Sequence, residues 1–199
     1  MGPIGVLALQ GDFREHLSVL NQLGIATVKV RKPSDLVGIS GLVIPGGEST
    51  VIDKLSKIYE LREPLIELVR KGLPVFGTCA GLIMLADRFT GGPADQQSFG
   101  GLDVTVERNA FGSQTDSFET RLAFEGIPEA IDVAFIRAPL VTQVGPDVEV
   151  LAKLADGRIV GVRQGNLLGI SFHPEVTGVT AVHEYFVGMC KNANFTAAN

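Results

Sequence analysis

Residues 4–9, Ile-Gly-Val-Leu-Ala-Leu, form a short apolar run without clean alternation, the pattern of a strand buried on both faces of a parallel sheet. Helical spacing follows at once. Phe13, Leu17 and Leu20 share one face, Asp12 and Glu15 are placed as a capping box at the helix start, and Gly24 closes it. The same alternation repeats. Strands are predicted at residues 25–30, 41–44 and 73–76, with a Leu- and Glu-rich helix over 58–71 and another helix carrying Leu82-Ile83-Met84-Leu85. Strands alternating with helices predict an α/β fold with a largely parallel sheet.

The texture changes after Asp87. Gly91-Gly92-Pro93 and Phe99-Gly100-Gly101 bracket a polar loop. Beyond it, residues 102–107, 117–124 and 132–136 alternate more regularly and read as strands. Residues 148–155 and 158–163 flank Asp156-Gly157, a strong hairpin signal. Antiparallel strands are therefore added in the second half. One more strand is predicted at 167–172, then a closing helix over 181–189. No internal repeat, low-complexity tract or long linker divides the chain, so a single domain over residues 1–199 is expected.

Composition narrows the class. Hydrophobic residues make up 45% of the 199 positions and charged residues 20%, which predicts a packed core. The net charge of −5 argues against a broad nucleic-acid surface. The two cysteines, Cys79 and Cys190, are too few and too far apart for a disulfide framework or a Cys-rich zinc site, and they fit a reducing compartment. No apolar run approaches the ~20 residues that span a bilayer, and the N-terminus lacks a basic signal-peptide region. A soluble cytoplasmic protein is expected.

The most informative stretch is Val75-Phe76-Gly77-Thr78-Cys79-Ala80-Gly81-Leu82, a G-x-C-x-G between a predicted strand and a predicted helix. It has the form of a nucleophile elbow with Cys in place of Ser. The glycines permit a sharp turn, and a helix N-terminus favours a thiolate and offers N–H groups to an oxyanion. A thiol needs a base, and only His16, His173 and His183 exist. His16 and His183 fall in predicted helices and read as surface or satisfied helix residues. His173 follows a buried strand in Ser171-Phe172-His173-Pro174-Glu175. In extended backbone, His173 and Glu175 share a face, so the carboxylate can orient the imidazole. A metal site would need more ligands than this region offers, and none is expected. Pro45-Gly46-Gly47-Glu48-Ser49-Thr50 follows another buried strand. Its glycines let backbone N–H groups approach an anion, but it lacks the Lys-Ser/Thr of a phosphate loop.

Together these motifs resemble the class I, triad-type glutamine amidotransferases. Leu7-Ala8-Leu9-Gln10-Gly11, the Gly-Gly-Glu-Ser-Thr segment, the elbow, Arg108-Asn109-Ala110-Phe111-Gly112, Phe135-Ile136-Arg137-Ala138-Pro139 and the His-Pro-Glu segment narrow the resemblance. They are similar to the family of glutaminase subunits of pyridoxal 5′-phosphate synthase, over nearly the whole chain. Val51, and Gly169-Ile170 before Ser171, depart from the family pattern without touching a catalytic position.

The resemblance implies a flavodoxin-like, mixed but mostly parallel sheet flanked by helices, with added antiparallel strands. It implies Cys79 as nucleophile on L-glutamine, His173 as proton carrier and Glu175 as its orienter. Gly47 and Ala80 would supply the oxyanion-hole N–H groups. Glu48, Ser49, Arg108, Ile136 and Arg137 would line the glutamine pocket, with Glu48 suited to the α-ammonium and an Arg to the α-carboxylate. Gln10 would couple partner docking to the oxyanion hole. The implied partner is the lyase subunit of the synthase in a large hetero-oligomer, and no cofactor is implied. Two alternatives remain: a partner-independent Cys hydrolase of the related elbow-bearing superfamily, and a non-catalytic binding subunit. Glu48, Arg108 and Arg137 argue against the first, and an intact Cys79–His173–Glu175 set against the second.

Overall fold

The computed structural model describes residues 1–110, 117–193 and 195. The elements run β1 (Ile4–Leu7), α1 (Phe13–Gln22), β2 (Thr27–Val30), a 3-10 turn (Pro33–Leu36), β3 (Gly41–Ile44), α2 (Ser49–Ile58), α3 (Arg62–Arg70), β4 (Val75–Thr78) and α4 (Ala80–Leu85). The chain continues through β5 (Ala86–Thr90), β6 (Leu102–Glu107), β7 (Phe118–Leu122), β8 (Ile131–Phe135), β9 (Leu140–Val144), β10 (Glu149–Lys153), β11 (Ile159–Gln164) and β12 (Leu167–Ile170). It ends with α5 (Pro174–Thr177) and α6 (Ala181–Asn192).

The main sheet has the order β2-β1-β3-β4-β12-β11-β9-β6-β5, with β10 pairing β11 at the side. From β2 to β12 all neighbours are parallel. From β12 through β11, β9 and β6 they are antiparallel, and β5 lies parallel to β6. The hairpin at Asp156-Gly157 joins β10 to β11, as its turn chemistry predicts. β7 and β8 form a separate antiparallel pair.

The inner parallel strands β1, β3, β4 and β12 are buried on both faces, which explains their apolar runs. Alternate residues divide between two cores. Leu7, Leu42, Ile44 and Val75 face Ile52, Leu61 and Leu65 of the α2–α3 side. Ile4, Val6, Val43 and Phe76 face Leu17 and Leu20 of α1, Phe186 of α6, and the inner side of β7–β8. Phe135 of β8 stacks on Phe118 at 4.8 Å and meets Phe172 edge-on, fixing the small sheet over this core. Among the described residues, no helix is long and apolar enough to cross a membrane.

Four expectations change. The helix expected over 58–71 is α3 alone, and α2 precedes it from Ser49. Two strands go unpredicted. β5 is a polar edge strand with only Ala86 buried, and β9 is mostly exposed, so neither shows an apolar run. The capping box at Asp12 does not form: its side chain caps nothing in α1 and lies instead 3.5 Å from His173 Nδ1. The His-Pro-Glu segment is not extended. His173 caps α5, with Pro174 at its first position, where a proline ring is pre-organised for a helix. Phe111 and Gly112 of the Arg-Asn-Ala-Phe-Gly motif lie outside the described residues.

Candidate active site

The core of the site gathers at the carboxyl ends of parallel strands. Gln10 and Asp12 follow β1, Gly47 and Glu48 follow β3, Cys79 follows β4 and His173 follows β12. The strand order reverses between β1 and β3, the position where open α/β sheets form a ligand crevice.

Cys79 sits between β4 and α4 at φ 49° and ψ −103°. That backbone costs a non-glycine residue about 1–3 kcal/mol and persists only where its surroundings enforce it. Here the enforcement is visible. The Cys79 N–H donates to the Ile170 carbonyl at 2.8 Å, tying the elbow to β12. A Cβ on Gly77 would meet the Gly81 backbone at 2.5 Å, and one on Gly81 would strike the Ile44 carbonyl oxygen. Both flanking glycines are therefore required by packing. Cys79 also opens α4, where the first-turn N–H groups of a helix have no intrahelical partner.

His173 is held from two directions. Its backbone N–H donates to the Ala134 carbonyl of β8 at 2.9 Å. Its Nδ1 lies 2.8 Å from Glu175 Oε1, and its ring lines the same cleft as the Cys79 thiol. The pairing of His173 with Glu175 is as expected, although one helical turn brings it about where an extended segment was predicted. Both side chains are nearly closed to solvent. Burial opposes charge on His173, but the hydrogen bonds and negative charge of Cys79 and Glu175 outweigh it and push its pKa up to about 10. Burial pushes the Glu175 carboxyl upward, with His173 pulling the other way. The arrangement puts an imidazole between a thiol and a carboxylate, the set of groups that an activated cysteine requires.

A cleft of about 340 Å³ opens over this pair. Its walls are Gln10, Asp12, Gly47, Glu48, Asn109, Ile136 and Arg137, with Cys79 and His173 at its base. Gln10 Oε1 accepts the Glu48 N–H at 2.8 Å, and a Cβ on Gly47 (φ 138°) would lie 2.5 Å from that same oxygen. The Gln10 side chain thus grips the glycine loop. Ile136 and Arg137 are carried in by the end of β8, with Arg137 at φ 45°.

Two candidates stand behind the wall. Arg108 donates to Glu48 Oε1 and to Gln96 Oε1, both at 2.8 Å. Ser49 is buried at the start of α2, where its Oγ accepts from Gln96 Nε2 at 3.0 Å. These two support Glu48 and do not line the cleft. A larger hollow of about 700 Å³ lies between residues 123–130 and 150–153, but it contains neither the cysteine nor a histidine.

Sequence reasoning missed Asp12, Asn109 and Gln96. Asp12 was assigned to a helix cap. Asn109 stands in the Arg-Asn-Ala-Phe-Gly motif without a role of its own, and it adopts φ 53°, a conformation its residue type tolerates. Gln96 sits in the Gly- and Pro-flanked loop and has no local signal.

A cysteine on a strand–helix elbow, an imidazole backed by a carboxylate, and an acid–base-lined cleft define the triad-type glutamine amidotransferases. The chain belongs to the SNO glutamine amidotransferase family, which it matches over residues 6–192. Its relatives carry a more particular name, pyridoxal 5′-phosphate synthase subunit PdxT. That of Clavibacter michiganensis subsp. michiganensis is 58% identical over 197 residues, covering 98% of this chain and 94% of the relative. That of Leifsonia xyli subsp. xyli is 58% identical over 185 residues, covering 92% and 93%. A crystal structure of a glutamine amidotransferase aligns with a TM-score of 0.89 at 48% identity, covering 96% of this chain and 100% of that one.

Proposed function

We propose that this chain is the glutaminase component of a pyridoxal 5′-phosphate synthase, hydrolysing L-glutamine to L-glutamate and passing the ammonia to a synthase subunit. The observation that carries the reading is Cys79 and His173 together at the base of a cleft that also holds Glu48 and Arg137, with Glu175 Oε1 2.8 Å from His173 Nδ1. The Cys79 thiolate attacks the side-chain amide carbon of glutamine. Negative charge moves onto the amide oxygen, which the N–H groups of Gly47 and Ala80 are assigned to receive. Imidazolium His173 gives its proton to the departing nitrogen, and ammonia leaves. His173, now neutral, takes a proton from water, and hydroxide attacks the glutamyl thioester. Glutamate departs and the Cys79–His173 pair is restored.

Substrate reading follows from charge. Glu48 suits the α-ammonium of free glutamine. Arg137 lines the cleft while Arg108 is tied to Glu48 and Gln96. Arg137 is therefore assigned to the α-carboxylate and Arg108 to the support of Glu48. The reaction asks for no cofactor. The same reading covers residues 1–199 as one amidotransferase domain acting in the cytoplasm, docked to the lyase subunit in a large hetero-oligomer.

Ammonia released at large near neutral pH becomes ammonium, a poor nucleophile, so hydrolysis is useful only beside a second active site. The coupling is assigned to Gln10, and the hold of its side chain on the glycine loop through the Glu48 N–H supports that assignment. A partner that moves Gln10 would reset the Gly47 N–H. Losing one oxyanion donor costs about 10²–10³ in kcat in a well-studied protease, so activation of similar size is expected. The test is glutamate release at saturating glutamine, with and without the synthase subunit. Strong activation is expected, lost in a Gln10→Ala variant that still docks. Equal rates with and without the subunit would refute the switch.

A further inference from the structure

Glu175 has a neighbour on its far side that the reaction as written leaves idle. His16 of α1 and His183 of α6 are both fully closed to solvent, at 0% exposure. Their rings meet, His16 Nδ1 to His183 Nε2 at 2.9 Å, and both stand edge-on to Phe76. On its other side, His16 Nε2 lies 3.1 Å from Thr78 Oγ1 and 3.6 Å from Glu175 Oε1. The surroundings are otherwise the apolar cluster of α1, α6 and β4. Packing alone would favour two apolar side chains here, since buried polar rings forfeit hydration that apolar ones never had.

The protons of this pair can be placed. His183 Nδ1 is buried without a hydrogen-bond partner. If His16 donated from Nδ1, His183 would carry its proton on Nδ1 with no acceptor. The lone pair of His16 Nε2 would then face the Glu175 carboxylate. The opposite assignment avoids both faults. His183 Nε2–H donates to His16 Nδ1, and His16 Nε2–H donates to Thr78 Oγ1, with Glu175 Oε1 beside it at 3.6 Å. Burial and the nearby His183 and His173 hold His16 well below the usual histidine range, and burial brings His183 down to about 4. The pair is neutral near pH 7 and offers Glu175 a dipole and not a charge.

Glu175 needs such help. Its Oε2 is buried without a partner, and burial favours its neutral form. The groups facing it are His173, His16 and, at the same Nδ1 of His173, the Asp12 carboxylate, which opposes its ionisation. We infer that His16, oriented by His183, is a positioning residue of the amidotransferase: the dipole of its Nε2–H, 3.6 Å from Oε1, helps to keep Glu175 ionised and aimed at His173, so that the support of the site reaches through the core from α5 to α6. The inference rests on the role given to Glu175 above. His16 does not line the cleft, so it has no part in glutamine binding.

The experiment compares three substitutions in the complex with the synthase subunit, reading kcat, KM and the acid limb of the kcat–pH profile. His16→Phe keeps the ring and removes the donor. A fall in kcat of about 10-fold is expected, with KM unchanged and the acid limb moved up by about one pH unit. His16→Gln places an amide N–H near the position of Nε2 and should recover most of the loss. His16→Asn reaches only the Nδ1 position and should not. If His16→Phe is too unstable to assay, the Gln–Asn contrast carries the test. The role is overturned by a wild-type kcat and pH profile in His16→Phe, or by Gln and Asn variants impaired equally. Cys79→Ala, assayed beside them, separates the claims. Turnover surviving in that variant would remove the triad, and this inference with it. A dead Cys79→Ala beside an unaffected His16→Phe would overturn the role of His16 alone.

Discussion

Gly46→Ala perturbs the site through a single methyl group. Gly46 is not in the left-handed region, unlike Gly47 at φ 138°, so an alanine backbone is allowed there. The space is not. A Cβ at Gly46 would lie 2.5 Å from His173 Cε1, 3.1 Å from His173 Nδ1 and 3.0 Å from Asp12 Oδ2, where ordinary contact begins at 3.4 Å. Either the loop or the His173 ring must retreat by about 1 Å. The ring is held by Glu175 at 2.8 Å and its backbone by Ala134, so the strain falls on the Cys79–His173 contact. Misplacing a reacting group by about 1 Å can cost ~10²-fold in rate. Overpacking of this kind costs ~1–3 kcal/mol of stability. The expected result is a folded protein with a Tm a few degrees lower, kcat down about 10²-fold, and KM for glutamine changed far less. Gly188→Ala is the matched control. It lies within α6 with no atom near its Cβ position, and it should stabilise by up to ~1 kcal/mol with full activity. Steady-state glutaminase kinetics beside thermal melts of both variants make the assay. Wild-type kcat in Gly46→Ala would show that the His173 ring is not placed as described.

Three further outcomes are expected. Arg137→Ala should raise the glutamine KM steeply, since losing a charge-assisted partner costs ~2–5 kcal/mol; unchanged kinetics would move the carboxylate site elsewhere. Cys190 is a buried core thiol whose pKa burial pushes up to about 12, so alkylation at pH 7.5 should leave it unmodified, as peptide mass mapping would report. His183 keeps a folded pKa near 4 against 6.5 for the free side chain. The unfolded chain therefore binds a proton that the folded chain refuses, and stability present above pH 6.5 is lost as pH falls toward 4. The loss from this group is ~3 kcal/mol, and urea unfolding at pH 7.5 and 4.5 should show a smaller difference in His183→Phe than in the wild type.

The residues that carry chemistry announce themselves where local constraint is strongest. Gly77, Cys79 and Gly81 are legible because the elbow leaves no room for other types at the glycine positions. β1, β3 and β4 are legible because burial on both faces forces unbroken apolar runs. α2 is obscured because its inner face is polar. Asp53 is buried but bound by Lys57, Arg62 and the Gln97 N–H, so the helical stripe that periodicity looks for is broken. β5 and β9 are held by pairing more than by burial, and pairing leaves little trace in one strand's composition. The support of Glu48 by Arg108 and Gln96, and of Glu175 by His16 and His183, joins residues far apart in the chain. A bland helix histidine and a buried one with a task look alike until α1 and α6 are seen to meet.

The central claim is that Cys79 forms a covalent thioester with the glutamyl group of glutamine. Acid-quenching the complex during turnover, followed by peptide mass analysis, tests it most directly. A mass increase of one γ-glutamyl group is expected on the Cys79 peptide, absent from the Cys190 peptide and from Cys79→Ala, which should release no ammonia. Ammonia release by Cys79→Ala at the wild-type rate, with no adduct on Cys79 in the wild type, would contradict the account.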